Sequence, residues 1–288
     1  MSAATLLSLP LAQAPLRKTA RWTPGAAQTS AHTEVFAAAG EATGAALALA
    51  FAADALATPA SPVPAGAAET AERPWLWVQD RAARRLSGVP YRPGLPQPLR
   101  HRLIHVAADR PEDALFALEE ALRCRDLAFV VGEIAGNPRA LSFTASRRLS
   151  LAAEKHGVPL WLVRLGATRD LGSARMRWEA RSAASPPPRW NPQAPGRPCW
   201  QAELFRAHVF APGQWMLADD QGRLSARSLV PPPETRERPD AADRERAIGS
   251  GATVEWSVPF GARFGRAAAD HGDLARQPRD RPLAARPG

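Results

Sequence analysis

Short apolar runs of strand length alternate with amphipathic stretches of helix length over most of this 288-residue chain. The clearest runs are residues 75–79, 102–106, 127–131 and 159–165. The run LAFVV at 127–131 is apolar throughout, which is typical of a central strand buried on both faces. Strands separated by helices at this spacing predict right-handed crossovers and a largely parallel central sheet covered by helices on both faces. We therefore expect an α/β fold.

Two helices are predicted between the later strands. Asp109 and Pro111 mark the start of the first, because aspartate caps helices and proline suits the first turn. Leucines at every third or fourth position then form one apolar face. The second helix runs from a cap at Thr144 to Lys155, and Gly157 ends it.

From about residue 199 the pattern changes to an alternation of apolar and polar positions. The runs CWQAELFRAHVF and QWMLAD flank Pro212 and Gly213, which predicts an antiparallel hairpin at the edge of the sheet. A Pro/Ala-rich stretch at 58–73 is interpreted as an exposed loop. We expect a mobile N-terminal arm that includes Trp22, an α/β core, and a mostly disordered, Pro/Arg-rich tail. Their bounds are residues 1–32, 33–229 and 230–288.

The segment EVFAAAGEATGAALALAFAADAL has the layout of a phosphate-binding loop, with a short strand, a loop of small residues and a long Ala/Leu helix. A working loop of the form G-x-x-x-x-G-K-[ST] uses lysine to hold the outer phosphates and a hydroxyl to ligate Mg²⁺. No lysine lies between Lys18 and Lys155, so the loop is predicted to be vestigial. Its positions are Ala37, Gly40, Thr43 and Gly44.

The carboxylates of such a site are also displaced. An acidic residue normally follows the central strand and organises Mg²⁺, but here Gly132 follows LAFVV and Glu133 comes one residue late. Asp80, after the run at 75–79, is a candidate for polarising a water molecule. Losing the lysine alone removes transition-state stabilisation on the order of a few kcal/mol. We therefore expect no catalysis, no bound cofactor and no metal ion.

No other set of residues predicts chemistry. His101 and His105 are four residues apart on a predicted strand and have no third metal ligand nearby. Ser146 and Ser150 have no evident base partner, so the sequence does not indicate nucleophilic catalysis.

Composition adds a basic surplus. The chain has 37 Lys and Arg against 28 Asp and Glu, a net charge of +9, which favours an anionic partner such as nucleic acid. Only two of these cations are lysine, so a coding bias toward arginine is an alternative explanation. The two cysteines are too few for a disulfide framework and indicate a cytoplasmic setting. The apolar helix candidates are too short to span a membrane.

Several of these segments together resemble the ImuA family, which consists of RecA-like proteins of bacterial SOS mutagenesis cassettes. The resemblance covers about residues 30–220 and is most specific in the TASRRL helix and the strand after it. The segments are EVF with its small-residue loop, WLWVQDR, EDALFALEEALR, LAFVVGEIAG, LSFTASRRLSLAAEKHGVPLWLVR and WQAELFRAHVFAPGQWMLADD.

The resemblance implies a non-catalytic accessory protein of translesion DNA synthesis, cytoplasmic and associated with the nucleoid. Its implied partners are ImuB, a Y-family-like polymerase homologue without polymerase activity, and an error-prone replicative-type polymerase subunit. By similarity to RecA, the region after the strand at 159–165 is a candidate contact for single-stranded DNA, with cations for phosphates and a tryptophan for stacking. These candidates are Arg164, Arg169, Arg175, Arg177, Trp178 and Arg181.

The stretch RMRWEAR within that region also has a purely structural interpretation. It alternates as a strand does, with Met176 and Trp178 facing inward and the arginines in solvent. In the tail, Trp256 and Phe260 are candidate apolar anchors for a partner protein.

Two other functions stay open on the sequence alone. A divergent DNA-dependent ATPase or recombinase would need another residue in place of the missing lysine. A SulA-like division inhibitor, also similar to a RecA core without a phosphate loop, would bind the tubulin-like division protein instead of a polymerase.

Overall fold

A computed structural model describes residues 20–25, 31–58 and 72–229 of the chain. Trp256 and Phe260 lie outside these residues, as do most of the predicted loop at 58–73 and most of the predicted arm. The described residues form nine strands. These are β1 (His32–Ala37), β2 (Trp75–Gln79), β3 (Leu103–Ala107), β4 (Val130–Ala135), β5 (Leu160–Leu165), β6 (Met176–Ser182), β7 (Cys199–Ala207), β8 (Gly213–Asp220) and β9 (Arg223–Ser228).

All nine strands belong to one sheet, in the order β3-β2-β4-β5-β1-β6-β7-β8-β9. The six strands from β3 to β6 in this order pair in parallel, and β6, β7, β8 and β9 pair antiparallel. The predicted α/β class, the largely parallel central sheet and the C-terminal hairpin are therefore confirmed. The strand β9 was not predicted, because RLSARS has only one strongly apolar residue.

Helices cover both faces of the parallel part of the sheet. The helices are α1 (Thr43–Ala57), α2 (Arg81–Ser87), α3 (Gln97–Arg100), α4 (Pro111–Arg123) and α5 (Phe143–His156), with a 3₁₀ turn at Arg92–Gly94. One core lies between α1 and the sheet, and it includes Val35, Trp161 and Trp178. A second core lies beneath α4 and α5, where Leu118 and Leu149 are buried. Two separate cores on opposite faces are what a doubly covered sheet requires.

The central strand is shifted along the chain from its predicted position. We predicted it over 127–131, but β4 begins at Val130 and continues through Gly132 and Glu133 to Ala135. Gly132 resembles a strand end in the sequence, but it lies inside β4 and packs closely. A Cβ at this position would lie 2.9 Å from a methyl group of Leu162 and 3.0 Å from Leu118, so a larger residue would require these leucine side chains to shift.

Both predicted helix starts are also displaced. Ser142, not Thr144, caps α5, and its hydroxyl accepts a hydrogen bond from the amide of Ala145 at 3.3 Å. Arg110 occupies the cap position of α4, where its side chain makes no capping hydrogen bond to the backbone. Pro111 opens the helix as predicted. At its other end α5 stops at Gly157 in the left-handed conformation (φ 71°), as predicted.

Trp22 belongs to the core, not to a mobile arm. Its side chain is 1% exposed and packs edge-on against Trp178, with ring centroids 4.8 Å apart. Phe51 and Trp215 complete this aromatic group around it. The prediction of a mobile arm over residues 1–32 is therefore wrong at this position.

Candidate functional site

The vestigial phosphate loop lies at the carboxyl end of β1, as its layout predicts. Ala37 ends the strand, and Thr43 and Gly44 open α1. Gly44 is required by contact between helix and sheet, because a Cβ there would lie 2.6 Å from Val163. The loop borders an open cleft of about 790 Å³ between the ends of β1, β5 and β6. This is the position at which open α/β sheets bind ligands.

A carboxylate, not a cation, occupies this loop. Thr43 donates its hydroxyl hydrogen to Glu41 at 2.8 Å. That bond, together with bonds from Ser182, holds the pKa of Glu41 below its usual value, so Glu41 carries a negative charge at neutral pH. In the register that places Ala37 on the first glycine of a working loop, Thr43 occupies the position of the lysine. A hydroxyl bonded to a carboxylate therefore stands where the loop would need a phosphate-binding cation, while Arg169, Arg181 and Glu179 line the rest of the cleft.

The two candidate catalytic carboxylates both serve the fold. Asp80 is 1% exposed and caps α2 by accepting a 2.6 Å bond from the amide of Ala83. Glu133 is buried within β4, where Gln79 and Ser87 donate hydrogen bonds to it. Burial raises the pKa of Glu133 against the opposing effect of these bonds.

Gln79 joins Glu133 to the neighbouring edge strand and was missed by the sequence analysis. Its amide nitrogen also donates to the carbonyl of Gly88 at 2.9 Å, and its oxygen lies 2.9 Å from His105 Nε2. A glutamine that ends the apolar run WLWVQ is the only sequence signal of this cluster. The hydrogen-bond partners come from three separate segments, so sequence spacing does not show them.

Two of the predicted DNA contacts, Arg164 and Arg177, lie in a buried ion cluster. Arg177 donates to Glu34 at 2.6 Å and to Asp170 at 3.1 Å, and Arg164 donates to Asp170 at 2.9 Å. Arg164 also lies 3.9 Å from the other oxygen of Glu34, which is fully buried. Both guanidinium groups stand over the ring of Phe36, 5.3 and 5.0 Å from its centroid.

The prediction that Arg164, Arg177 and Trp178 present free cations and a stacking surface is wrong. Trp178 is fully buried, and Arg164 and Arg177 are 1% and 2% exposed. The structural interpretation of RMRWEAR is correct for Met176 and Trp178, which face the α1 core. It fails for Arg177, which is buried with Glu34 instead of lying in solvent.

The other three predicted DNA contacts lie at the surface but pair with carboxylates. Arg169 bridges Glu179 and Glu203, at 2.8 and 2.7 Å, and stands 4.1 Å from the centroid of Phe205. Arg175 pairs with Glu154 at 2.5 Å. Arg181 is 77% exposed and lies 3.4 Å from Glu179. Their charges are therefore largely compensated within the chain.

A buried serine and histidine pair also escaped the sequence analysis. His32 Nδ1 lies 2.8 Å from Ser150 Oγ, so the expectation that Ser150 has no base partner is wrong. Ser150 in turn contacts Ser173 at 2.7 Å. His32 is fully buried and Ser150 is 5% exposed, which closes the pair to substrates. The pair links β1 to α5.

Acidification is expected to weaken the fold through His32. Burial lowers its pKa from 6.5 to about 3, with smaller contributions from the charges of Arg177 and Arg164. Between these values the unfolded chain binds a proton and the folded chain does not, so stability falls as pH falls, by about 1.4 kcal/mol per pH unit. From pH 7 to pH 5 the native protein should lose about 2 kcal/mol more than a His32→Gln variant.

Urea unfolding at each pH measures this difference. His208→Gln is the matched control, because His208 is exposed and its replacement should leave the native pH dependence in place. Identical slopes for the native protein and the His32→Gln variant between pH 7 and pH 5 would contradict the assignment.

Within the described ranges, no three His, Cys, Asp or Glu side chains are grouped so that they could hold a metal ion. In the same part of the chain no helix is long and apolar enough to cross a membrane. Compared with known protein families and with curated proteins, the sequence matches none.

Proposed function

We propose that this chain is a non-catalytic, RecA-like accessory protein of SOS-induced, error-prone translesion DNA synthesis. It scaffolds an ImuB-type polymerase homologue and an error-prone polymerase subunit at damaged DNA in the cytoplasm, without nucleotide turnover. The observation that carries the proposal is the phosphate loop in which Glu41 stands among the small residues and engages the hydroxyl of Thr43. A fixed carboxylate there repels the anionic group that a motor of this architecture hydrolyses.

The remaining parts of the motor site support the same conclusion. Asp80 is used as a helix cap and Glu133 as a buried hydrogen-bond acceptor, so neither faces a reacting water molecule. A carboxyl group that is buried and bound within the fold is poorly placed to act as a general base toward a water molecule. The largely parallel sheet that a RecA-like core requires is present, and the two candidate catalytic carboxylates have structural roles.

The resemblance to ImuA supports the choice of partners. It covers eight of the nine strands of the sheet, from β1 to the hairpin of β7 and β8. A core that no longer cycles with nucleotide can hold other proteins together, which fits the role of a scaffold for polymerases.

Purified full-length chain is expected to release no phosphate from ATP above the level of buffer, with or without single-stranded DNA. The reason is that no lysine faces the cleft and that the two candidate catalytic carboxylates, Asp80 and Glu133, are buried in the fold. A malachite-green assay, with an active RecA-type ATPase run in parallel, measures this. DNA-stimulated release that disappears in a Glu133→Gln variant would favour the divergent ATPase instead.

Co-purification from DNA-damaged cells tests the partners. Tagged chain is expected to retain a Y-family polymerase homologue and a replicative-type polymerase subunit, identified by mass spectrometry, and to retain much less of both from undamaged cells. Retention of the tubulin-like division protein in their place would instead indicate the SulA-like function.

A further inference from the structure

A rim of uncompensated arginines follows the β3 edge of the sheet. Residues 81–108 contain six arginines and no Asp or Glu, and they comprise α2, the 3₁₀ turn, α3 and β3. Within the described ranges β3 pairs only with β2, so this rim lies at one end of the nine-stranded order. We name it the arginine rim. Its cations are Arg81, Arg84, Arg85, Arg92, Arg100 and Arg102.

Two of these arginines bind the backbone at the two ends of β3. Arg84 donates to the carbonyl of Ala108, just past the end of the strand, at 3.2 Å. Arg92 donates to the carbonyl of Leu103, at its start, at 3.1 Å. His105 lies between them, and after its burial the charges of Arg84 and Arg92 are the next causes that lower its pKa. Arg84 and Arg92 therefore mark the two ends of this edge strand, with His105 between them.

The hydrogen bonds of the rim do not neutralise its charge. Arg92, Arg100 and Arg102 each donate to a backbone carbonyl, which orients the guanidinium group and leaves its positive charge intact. In the part of the chain that the structure describes, only Arg84 of the six pairs with a carboxylate, that of Asp109 at 3.3 Å. Arg81 and Arg85 project from one face of α2 into solvent.

The arginines at 164–181 differ from those of the arginine rim in their ion pairs, and this difference favours the rim as the place where an anion would bind. Every arginine predicted there as a DNA contact has a carboxylate partner, so an incoming phosphate would have to displace Asp or Glu. At the arginine rim five of the six cations form no ion pair among the described residues, and the nearest exposed carboxylate, that of Asp109, borders the same shallow depression as Arg81 and Arg85. A polyanion that binds at the rim releases its condensed counterions, and most of these arginines have no ion pair within the protein that must first be broken.

Exposed apolar side chains lie among these cations. Tyr91, which directly precedes Arg92, is 74% exposed, and Val89 is 65% exposed. Leu86 and Ile104 are also close to half exposed. An aromatic ring beside phosphate-binding cations is the combination that binds single strands, because unpaired bases stack on the ring while the backbone follows the charges. A duplex keeps its bases stacked inside and cannot use Tyr91 in this way.

We propose that the arginine rim binds single-stranded nucleic acid, with Arg81 and Arg85 contacting phosphates and Tyr91 stacking on a base. The inference deepens the proposed function, since it names the surface that would meet DNA. The evidence for it, which is separate from that for the scaffold function, is the charge and the exposure of the rim.

Fluorescence anisotropy of a labelled oligo-dT with the full-length chain tests the proposal. The double variant Arg81→Glu and Arg85→Glu should bind at least about tenfold more weakly, and the slope of log affinity against log salt should shrink by about 0.7 for each phosphate contact removed. The matched control is Arg223→Glu with Arg227→Glu, which makes the same change of charge on exposed residues of β9 at the opposite edge. It should retain most of the affinity.

Tyr91→Ala tests the stacking contact. It should weaken binding of the single strand about tenfold and leave binding of a duplex of the same length unchanged. Tyr91 is the only tyrosine of the chain, so nitration by tetranitromethane, read by mass spectrometry, reports on this one side chain in the native protein. Bound oligo-dT should protect it.

Equal losses in the two double variants would overturn the proposal, because binding would then follow net charge alone. So would an unprotected Tyr91 at saturating oligo-dT, absence of binding at 50 mM salt, or tighter binding of poly-glutamate, which would indicate an acidic protein as partner. Polymerase assembly is read separately by co-purification. Absence of oligo-dT binding by the native chain, with intact co-purification, therefore rejects the rim and keeps the scaffold. Oligo-dT binding as expected, with neither polymerase protein co-purified, rejects the scaffold and keeps the rim.

Discussion

Replacing Glu34 by glutamine is expected to lower the free energy of unfolding by about 3–5 kcal/mol, because it leaves buried cations without their carboxylate. Glu34 is fully buried between Arg177, at 2.6 Å, and Arg164, at 3.9 Å. Glutamine has the same shape and keeps a hydrogen-bond acceptor, so the loss would report on charge more than on packing. Asp170 alone would then face two guanidinium groups. Urea unfolding followed by circular dichroism measures the change.

Glu203→Gln is the control for this substitution. Glu203 also accepts from an arginine, Arg169, at 2.7 Å, but its side chain is 38% exposed. Solvent screens such a pair, so its loss should cost less than about 1 kcal/mol. Similar small losses in both variants would show that Arg164 and Arg177 do not depend on Glu34.

Replacing Trp178 by alanine is expected to lower the free energy of unfolding by about 3–5 kcal/mol, since it opens a large cavity in the α1 core. The ring is fully buried, and its centroid lies 4.8 Å from that of Trp22, 5.4 Å from that of Phe51 and 5.5 Å from that of Trp215. All three neighbours lose contact area at once. Thermal and urea unfolding both measure the effect.

Trp190→Ala is the control for this substitution, because it removes a tryptophan without opening a cavity in the core. Trp190 is 81% exposed, and its removal should change stability by no more than about 0.5 kcal/mol. Where Trp178→Ala stays folded, its affinity for oligo-dT should match that of the native protein. A large loss of oligo-dT affinity in folded Trp178→Ala would restore this residue to the candidate DNA contacts.

Local periodicity was sufficient for most of the fold. The run WLWVQ matches β2 residue for residue, and on α4 the leucine face of EDALFALEEALR packs on the core, with Leu118 and Leu122 buried and Leu115 partly buried. The hairpin around Pro212 and Gly213 was also predicted, because alternation and turn residues are both short-range signals. These elements form from interactions that the neighbouring sequence already contains.

The site was harder to predict because its contacts are long-range. Arg177 alternates correctly for a solvent-facing strand residue, and only the distant Glu34 makes its burial possible. Gly132 and Glu133 look like the end of a strand, but their positions depend on Leu118 and Leu162 from other elements. Sequence spacing identifies which residues share a face. It does not identify what lies opposite that face.

The position of β1 between β5 and β6 has a consequence for biosynthesis. The strand leaves the ribosome early, yet Arg177, the β6 residue that pairs with its Glu34, is 143 residues further along the chain. At cellular translation speeds this interval is on the order of ten seconds. During that time the nascent segment from Glu34 to the Ala-rich helix has no sheet to join, and its carboxylate has no cation. Completion of the native topology must therefore wait for strands that are synthesised late.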